Sequence, residues 1–396
     1  MSSVVAERRA PEHLHEALAG LKEPLSPQRR TELLERSFAL RSGRDGPGRF
    51  WRVDLDALDY SALQPKPAAP PQIAAALVRG AIACDLRTAV RDHAQLLERC
   101  LGRAAKPEER KFAALSAALC NTGAFAYLPE GVCIDEPIEV SYDALPEGLF
   151  AWTVVLAERG SSVTVVERLR GAQRAFACTI AEIVCGESAH VQYAGEQSLG
   201  EDGVHLWTRA ALPSADASLV VNLAEVGGAL SAGVAEVHIA ERGVRSEING
   251  LFFPRGDQHV DLVTNVLHQA GESQSQTTIK SAATGAGQAR YLGNIRIAPH
   301  AQASDARLRD DALLLSRKSH IDSVPALEIA ANDVKAYHGA TVGALDENQI
   351  FYMGSRGIAR AEAERMIALG FFEPVIERFP KLLRDGLRRA TQEKVS

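Results

Sequence analysis

Three runs decide the fold: Ser218-Leu219-Val220-Val221-Asn222-Leu223, Ala235-Glu236-Val237-His238-Ile239, and His259-Val260-Asp261-Leu262-Val263-Thr264-Asn265-Val266. Each is short and rich in β-branched residues, with the polar–apolar alternation of a strand that buries one face. Similar runs flank them at Trp152–Leu156, Ser162–Val166, Thr179–Val184, Thr277–Ile279, Tyr291–Ile297 and Leu327–Ile329. From about 124 to 345 no helical periodicity intervenes. That excludes a doubly wound α/β domain and leaves a sandwich, a propeller or a parallel β-helix. Spacing favours the β-helix, because no clear two-residue Asn-Gly turn, the strongest hairpin signal, divides the strands. Asn222, Asn249, Asn265 and Asn294 suit the stacked turns of such a coil. Its rungs would pair through backbone hydrogen bonds about 4.8 Å apart.

On either side the character changes. Residues 11–41 and 72–120 read as helical, with Ile73, Leu77, Val78 and Ile82, then Leu86, Val90, Leu97 and Leu101, at helical spacing. The Gly43–Gly48 turn region and the prolines from Pro65 to Pro71 interrupt them, with an extended segment at Phe50–Leu55. From Ser355 a helical stripe returns through Ala361, Met366, Ile367, Gly370 and Phe371. Pro374 and Pro380 stand where new helices could start. The reading is mainly β: an N-terminal helical domain over 1–120, a parallel β-helix over 121–348 and a C-terminal helical domain over 349–396. The helical parts are expected to cap the ends of the cylinder, whose open edges would otherwise recruit other chains.

Bulk properties narrow the function. A chain of 396 residues can bury a large core, and a net charge of −6 gives no global field for nucleic acid or an anionic membrane. The first residues lack a long apolar stretch, and no run of about 18 apolar residues occurs, so a cytoplasmic protein is expected. Six cysteines, at 84, 100, 120, 133, 178 and 185, form no C-x-x-C pair. They read as reduced, buried thiols, with Cys178 or Cys185 the best placed for reactivity.

Several polar groups invite chemistry. His338, before Gly339, has an imidazole able to ligate iron, zinc or copper, although chemistry alone leaves it a hydrogen-bonded core residue. Gly339 would let the chain turn tightly there. His300, His320 and His338 are spaced so that they could stack on one face of a cylinder. His259, Asp261, Thr264 and His268 could share a face as a metal or acid–base cluster. Asp305, Asp310 and Asp311 stand among Arg307, Arg309 and Arg317, where ion pairs account for them as well as lyase chemistry does. There is no P-loop, no G-x-G-x-x-G after a strand and no G-x-S-x-G elbow, and Gly285-Ala286-Gly287 reads as a turn.

A resemblance runs from about 111 to 379. It is carried by Leu128-Pro129-Glu130-Gly131-Val132 through Pro137-Ile138, Val163-Thr164-Val165-Val166-Glu167, and Gln258-His259-Val260-Asp261 through Thr264 and His268. It continues in Leu313-Leu314-Leu315-Ser316 through Pro325-Ala326-Leu327-Glu328-Ile329, His338-Gly339-Ala340-Thr341-Val342-Gly343, and Phe351-Tyr352 to Ile358. Together these resemble the SufB/SufD family of iron–sulfur cluster assembly proteins, in its SufD branch. The resemblance implies a right-handed parallel β-helix between helical domains, and a non-catalytic scaffold subunit. It implies pairing with SufB through the β-helix, binding of the ATPase SufC through the C-terminal helices, and sulfur from a cysteine desulfurase. A homodimer is open when the chain is alone.

By the same resemblance, His338 lies at the SufB interface near the nascent cluster, as its one metal-ligand candidate, and Met366, Ile367, Phe371 and Phe372 form the SufC-docking region. No cofactor is expected to stay on this chain alone, and flavin is left open. Family members often carry a cysteine two residues before the histidine; here it is Ala336. No cysteine follows Cys185, which counts against a SufB-like scaffold that holds the cluster itself. A β-helix carbohydrate-active enzyme is the other alternative.

Overall fold

The computed structural model describes residues 9–21, 23–40, 58–78 and 80–395. The Gly43–Gly48 and Phe50–Leu55 segments lie outside the described residues. The centre is a parallel β-solenoid of about eight turns. One sheet, A, stacks β4 (Ile138–Ala144), β6 (Ser162–Gly171), β8 (His190–Leu199), β10 (Ser218–Glu225), β12 (Arg245–Phe252), β15 (Gln274–Gly285), β17 (Ser304–Leu314) and β19 (Val334–Ala344). The other, B, stacks β3 (Thr122–Leu128), β5 (Leu149–Ala157), β7 (Phe176–Cys185), β9 (Val204–Pro213), β11 (Leu230–Ile239), β14 (His259–His268), β16 (Gln288–Ile297) and β18 (His320–Ile329). A two-residue strand, β13 (Arg255–Gly256), pairs beside β15.

Each rung takes one strand from each sheet, so the repeat is about 28 residues, as when His190 pairs with Ser218. Alternate residues point inward. Val260, Leu262 and Val266 of β14 meet Tyr291 and Ile295 of β16 and the inward rows of sheet A in one continuous core. The Asn249-Gly250 pair lies inside β12 and makes no turn. There a Cβ on Gly250 would stand 2.6 Å from Ile279 Cδ1. The asparagines are also mid-strand: Asn222 and Asn249 pair in register and bond side chain to side chain at 3.2 Å, while Asn265 pairs with Asn294. They are ladders on the outer faces, not turn residues.

The helices cover faces rather than ends. α1 (Glu12–Leu18), α2 (Pro27–Ala39), α3 (Leu86–Asp92), α4 (Ala94–Leu97) and α5 (Lys111–Ala118) form a second core with the outer face of sheet B. The C-terminal helices α6 (Glu347–Ser355), α7 (Arg360–Ile376) and α8 (Lys381–Val395) follow the solenoid, and α7 and α8 pack on the outer face of sheet A. The expected helix over 72–85 is instead two strands, β1 (Gln72–Ala74) and β2 (Ile82–Asp85). They pair antiparallel with β4 and β3 and close the first rung. Gly80, at φ +82°, breaks the apparent helix between them. Pro374 lies inside α7 and starts no helix, whereas Pro380 directly precedes α8.

Candidate functional site at the open end of the solenoid

The last rung has no successor. Among the described residues β18 and β19 each have one hydrogen-bonded neighbour, β16 and β17, and end their sheets. Their outer edges present unpaired N–H and C=O groups, the template that recruits another chain. Apolar side chains crowd this end: Ile329 is 42% exposed, Val342 42%, Tyr337 60%, and on α6 Phe351 is 78% exposed.

His338 sits in the middle of β19, in register with Leu308, a buried lumen-facing residue of β17. It therefore belongs to the lumen face, but nothing stacks above it, and it is exposed. Its neighbours on that face are Ala336, Ala340 and Val342, in register with Ala306, Asp310 and Ala312. The imidazole stands alone among small side chains at the mouth of the cylinder and makes no hydrogen bond to another described side chain. Gly339 makes no turn; it lies mid-strand, where a Cβ would come 2.6 Å from the Tyr337 hydroxyl.

The proposed histidine stack does not form. His320 begins β18 in the opposite sheet and pairs with Asp322 at 2.9 Å, while His300 lies in the turn before β17. The repeat of about 28 residues does not match their spacing. The His259–His268 cluster also divides, because odd and even positions of β14 face opposite ways. Asp261 points outward and is fully buried, with Arg290 Nε 2.8 Å away; burial lifts its carboxyl to about 7 against that cation. Thr264 points inward to the Tyr291 hydroxyl at 2.7 Å. His268 also points inward, between Ser273 and Ser275.

Of the three aspartates, Asp305 pairs with Arg307 at 2.9 Å and Asp311 with Lys280 at 2.7 Å and Arg309 at 2.9 Å, all on the outer face. Asp310 is inside. Cys178 and Cys185 are fully buried; burial pushes the Cys185 thiol to about 12 and the Cys178 thiol well up, so neither is a nucleophile. Cys133 is the exposed thiol.

Met366 is 47% exposed on α7 and Ile367 is half-buried. Phe371 lies under Lys280, 4.3 Å from its ring centroid. Phe372 is fully buried against Phe253, 5.5 Å between ring centroids, so it anchors α7 and offers no surface. Phe372 falls on the buried row of Ala368, Val375 and Ile376, one position round the helix from Phe371, so the helical period separates the two once the buried face is fixed.

The sequence reading also missed a polar column inside the lumen. Arg209 bonds Glu167 and Thr179, each at 2.8 Å. His205 bridges Thr179 and Glu225 at 3.0 Å, and Ser231 donates to Glu225 at 2.7 Å. Only register brings these distant residues together. Among the described residues no group of three His, Cys, Asp or Glu side chains could hold a metal ion.

Residues 140–371 match the SUF system FeS cluster assembly SufBD core domain, and residues 67–140 match the SufBD protein N-terminal region. The chain belongs to the SufB/SufD family of iron–sulfur cluster assembly proteins. Over 312 residues this SufB/SufD-family chain is 30% identical to the iron–sulfur cluster assembly protein SufD of Bacillus subtilis, covering 76% of the chain and 71% of that protein. Over 307 residues it is 26% identical to the iron–sulfur cluster assembly SufBD family proteins of Staphylococcus epidermidis and Staphylococcus saprophyticus, covering 76% of the chain and 66% of theirs, just under two thirds. Family membership places it in a SUF assembly with other subunits. Neither a cluster-carrying SufB-like scaffold nor a carbohydrate-active enzyme is favoured: the similar proteins include a SufD, and Asp305 and Asp311 are held in ion pairs. No helix among the described residues is long and apolar enough to cross a membrane.

Proposed function

We propose that the chain is the SufD-like, non-catalytic scaffold subunit of a cytoplasmic SufB–SufC–SufD complex. One observation supports this above others: the solenoid ends in two strands, each open along one edge, with a lone imidazole on the lumen side of the opening. SufB meets this chain at β18 and β19, and the nascent cluster, which is cargo, forms between them from sulfur delivered by a cysteine desulfurase. His338 offers iron a nitrogen donor. Ala336 offers none, so the thiolates come from SufB. SufC, the ATPase, engages the C-terminal helices around Met366 and Ile367, and nucleotide biases the complex between two arrangements. No resident cofactor is assigned to this chain.

Co-expression with SufB and SufC from the same organism tests the reading. The three chains should co-purify. His338→Ala should melt at the same temperature as the parent and still co-purify, but the complex should lose most of its cluster on anaerobic reconstitution. Failure of the parent chain to retain either partner would overturn the reading; full cluster yield with His338→Ala would remove the histidine from it.

A further inference from the structure

Asp310 is the one lumen-facing carboxylate in the last two rungs. It is 0% exposed on β17. One carboxyl oxygen takes the hydroxyl of Ser323, which reaches across from β18, the terminal strand of the other sheet. The other oxygen, Oδ1, is buried with no hydrogen-bond partner. A buried polar atom left in this way is costly. Burial, with like charge from Asp311, raises the Asp310 carboxyl to about 7.

Among the described residues no cation is hydrogen-bonded to Asp310. Lys280, whose charge works against the rise, is on the outer face and engaged by Asp311, which also takes Arg309. From the opposite sheet come Ser323 and the Tyr291 hydroxyl, and the latter already meets Thr264 at 2.7 Å. Above Asp310, in register on β19, is the methyl group of Ala340, with His338 as the diagonal neighbour on the same face. Only an alanine of the final strand therefore stands between an incompletely bonded acid and the open mouth.

We propose that Asp310 is a docking residue whose missing partner is a lysine or arginine side chain of the subunit that closes the solenoid, inserted past Ala340 to bond Oδ1. The inference rests on the SufB-pairing reading above and adds to it a residue and the charge of its partner. A cation there would ionise the carboxyl and complete its hydrogen bonds, and a charge-assisted bond in a dry site is among the stronger kinds. Such a residue lowers the stability of the free chain and strengthens the assembly, and that trade-off is measurable.

The test compares the parent with Asp310→Leu and Asp310→Asn, measuring the melting temperature of each chain alone and its affinity for SufB in a chelator-containing buffer. Asp310→Leu, apolar and of the same branched shape though larger, should bind SufB about ten- to a hundredfold more weakly, while Asp310→Asn, close in volume and uncharged, should melt no lower than the parent. Asp310→Asn should bind with intermediate affinity. Parent-like affinity of Asp310→Leu would overturn the proposal, as would a lower melting temperature of Asp310→Asn, which would mean that the carboxylate is satisfied within the chain. An affinity loss seen only when iron replaces the chelator would assign the counter-charge to a metal and also overturn it. If the parent itself fails to bind SufB, the pairing reading falls, an outcome distinct from any of these.

Discussion

His268 holds its lumen position through both ring nitrogens, Nδ1 2.8 Å from Ser273 Oγ and Nε2 2.8 Å from Ser275 Oγ. Burial lowers its ionisation to about 4 from an ordinary value of 6.5. The fold thus prefers the neutral ring, while the unfolded chain protonates it near 6.5. Its contribution is complete above that pH and is lost as pH falls from 6.5 through 4, to the extent of about 3 kcal/mol. Asp261 and Asp310 act oppositely, because raised carboxyls stabilise the fold as pH falls from about 7 towards 4. The whole protein therefore hides the histidine effect, but a variant exposes it. The stability gap between parent and His268→Asn, from urea unfolding, should be widest at pH 7 and shrink by about 3 kcal/mol at pH 4. A constant gap would show that His268 titrates normally. At this scale the sequence identified His268 and His338 as notable but not their settings. Parity along β14 separates Thr264 and His268 from His259 and Asp261, and parity has meaning only once the strand's start and inward face are fixed.

Among the elements, the runs of strand were legible because a half-buried strand alternates, and over 200 residues of alternation admit few folds. The misread element shows the limit. Ile73, Leu77, Val78 and Ile82 have helical spacing, yet 72–74 and 82–85 pair with the first rung, where tertiary pairing outweighs local preference. α7 shows the converse: Pro374 signals a break, but the helix runs through it to Ile376 because Ala368, Phe372, Val375 and Ile376 are buried against sheet A. A proline there removes one helical N–H and crowds the preceding turn. Pro374 is exposed, so replacement leaves no cavity. Pro374→Ala should stabilise the chain by about 1–3 kcal/mol, read from urea unfolding. A loss of stability would show that α7 depends on the bend.

At the scale of the whole molecule, the two ends of the solenoid differ. The first rung is finished by β1 and β2 running antiparallel, whereas the last leaves two strand edges bare. The sequence carries the residues of the mouth but not its openness. The expectation of helical caps fails because the helices have larger apolar faces to cover, the outer sides of both sheets. A bare end with exposed Ile329, Tyr337 and Val342 should join a second copy of itself when no other partner is present. Sedimentation of the isolated chain should therefore show a concentration-dependent dimer. Ile329 ends β18 on the lumen side, in register with Ile297, so a charge there enters the rim of any joined solenoid without disturbing the rungs beneath. Ile329→Lys should shift the chain to monomer and weaken SufB binding in parallel while leaving the melting temperature of the monomer unchanged. Loss of self-association with full SufB binding would mean that the two contacts use different surfaces, and that the mouth is a homodimer interface rather than the place where a cluster is built.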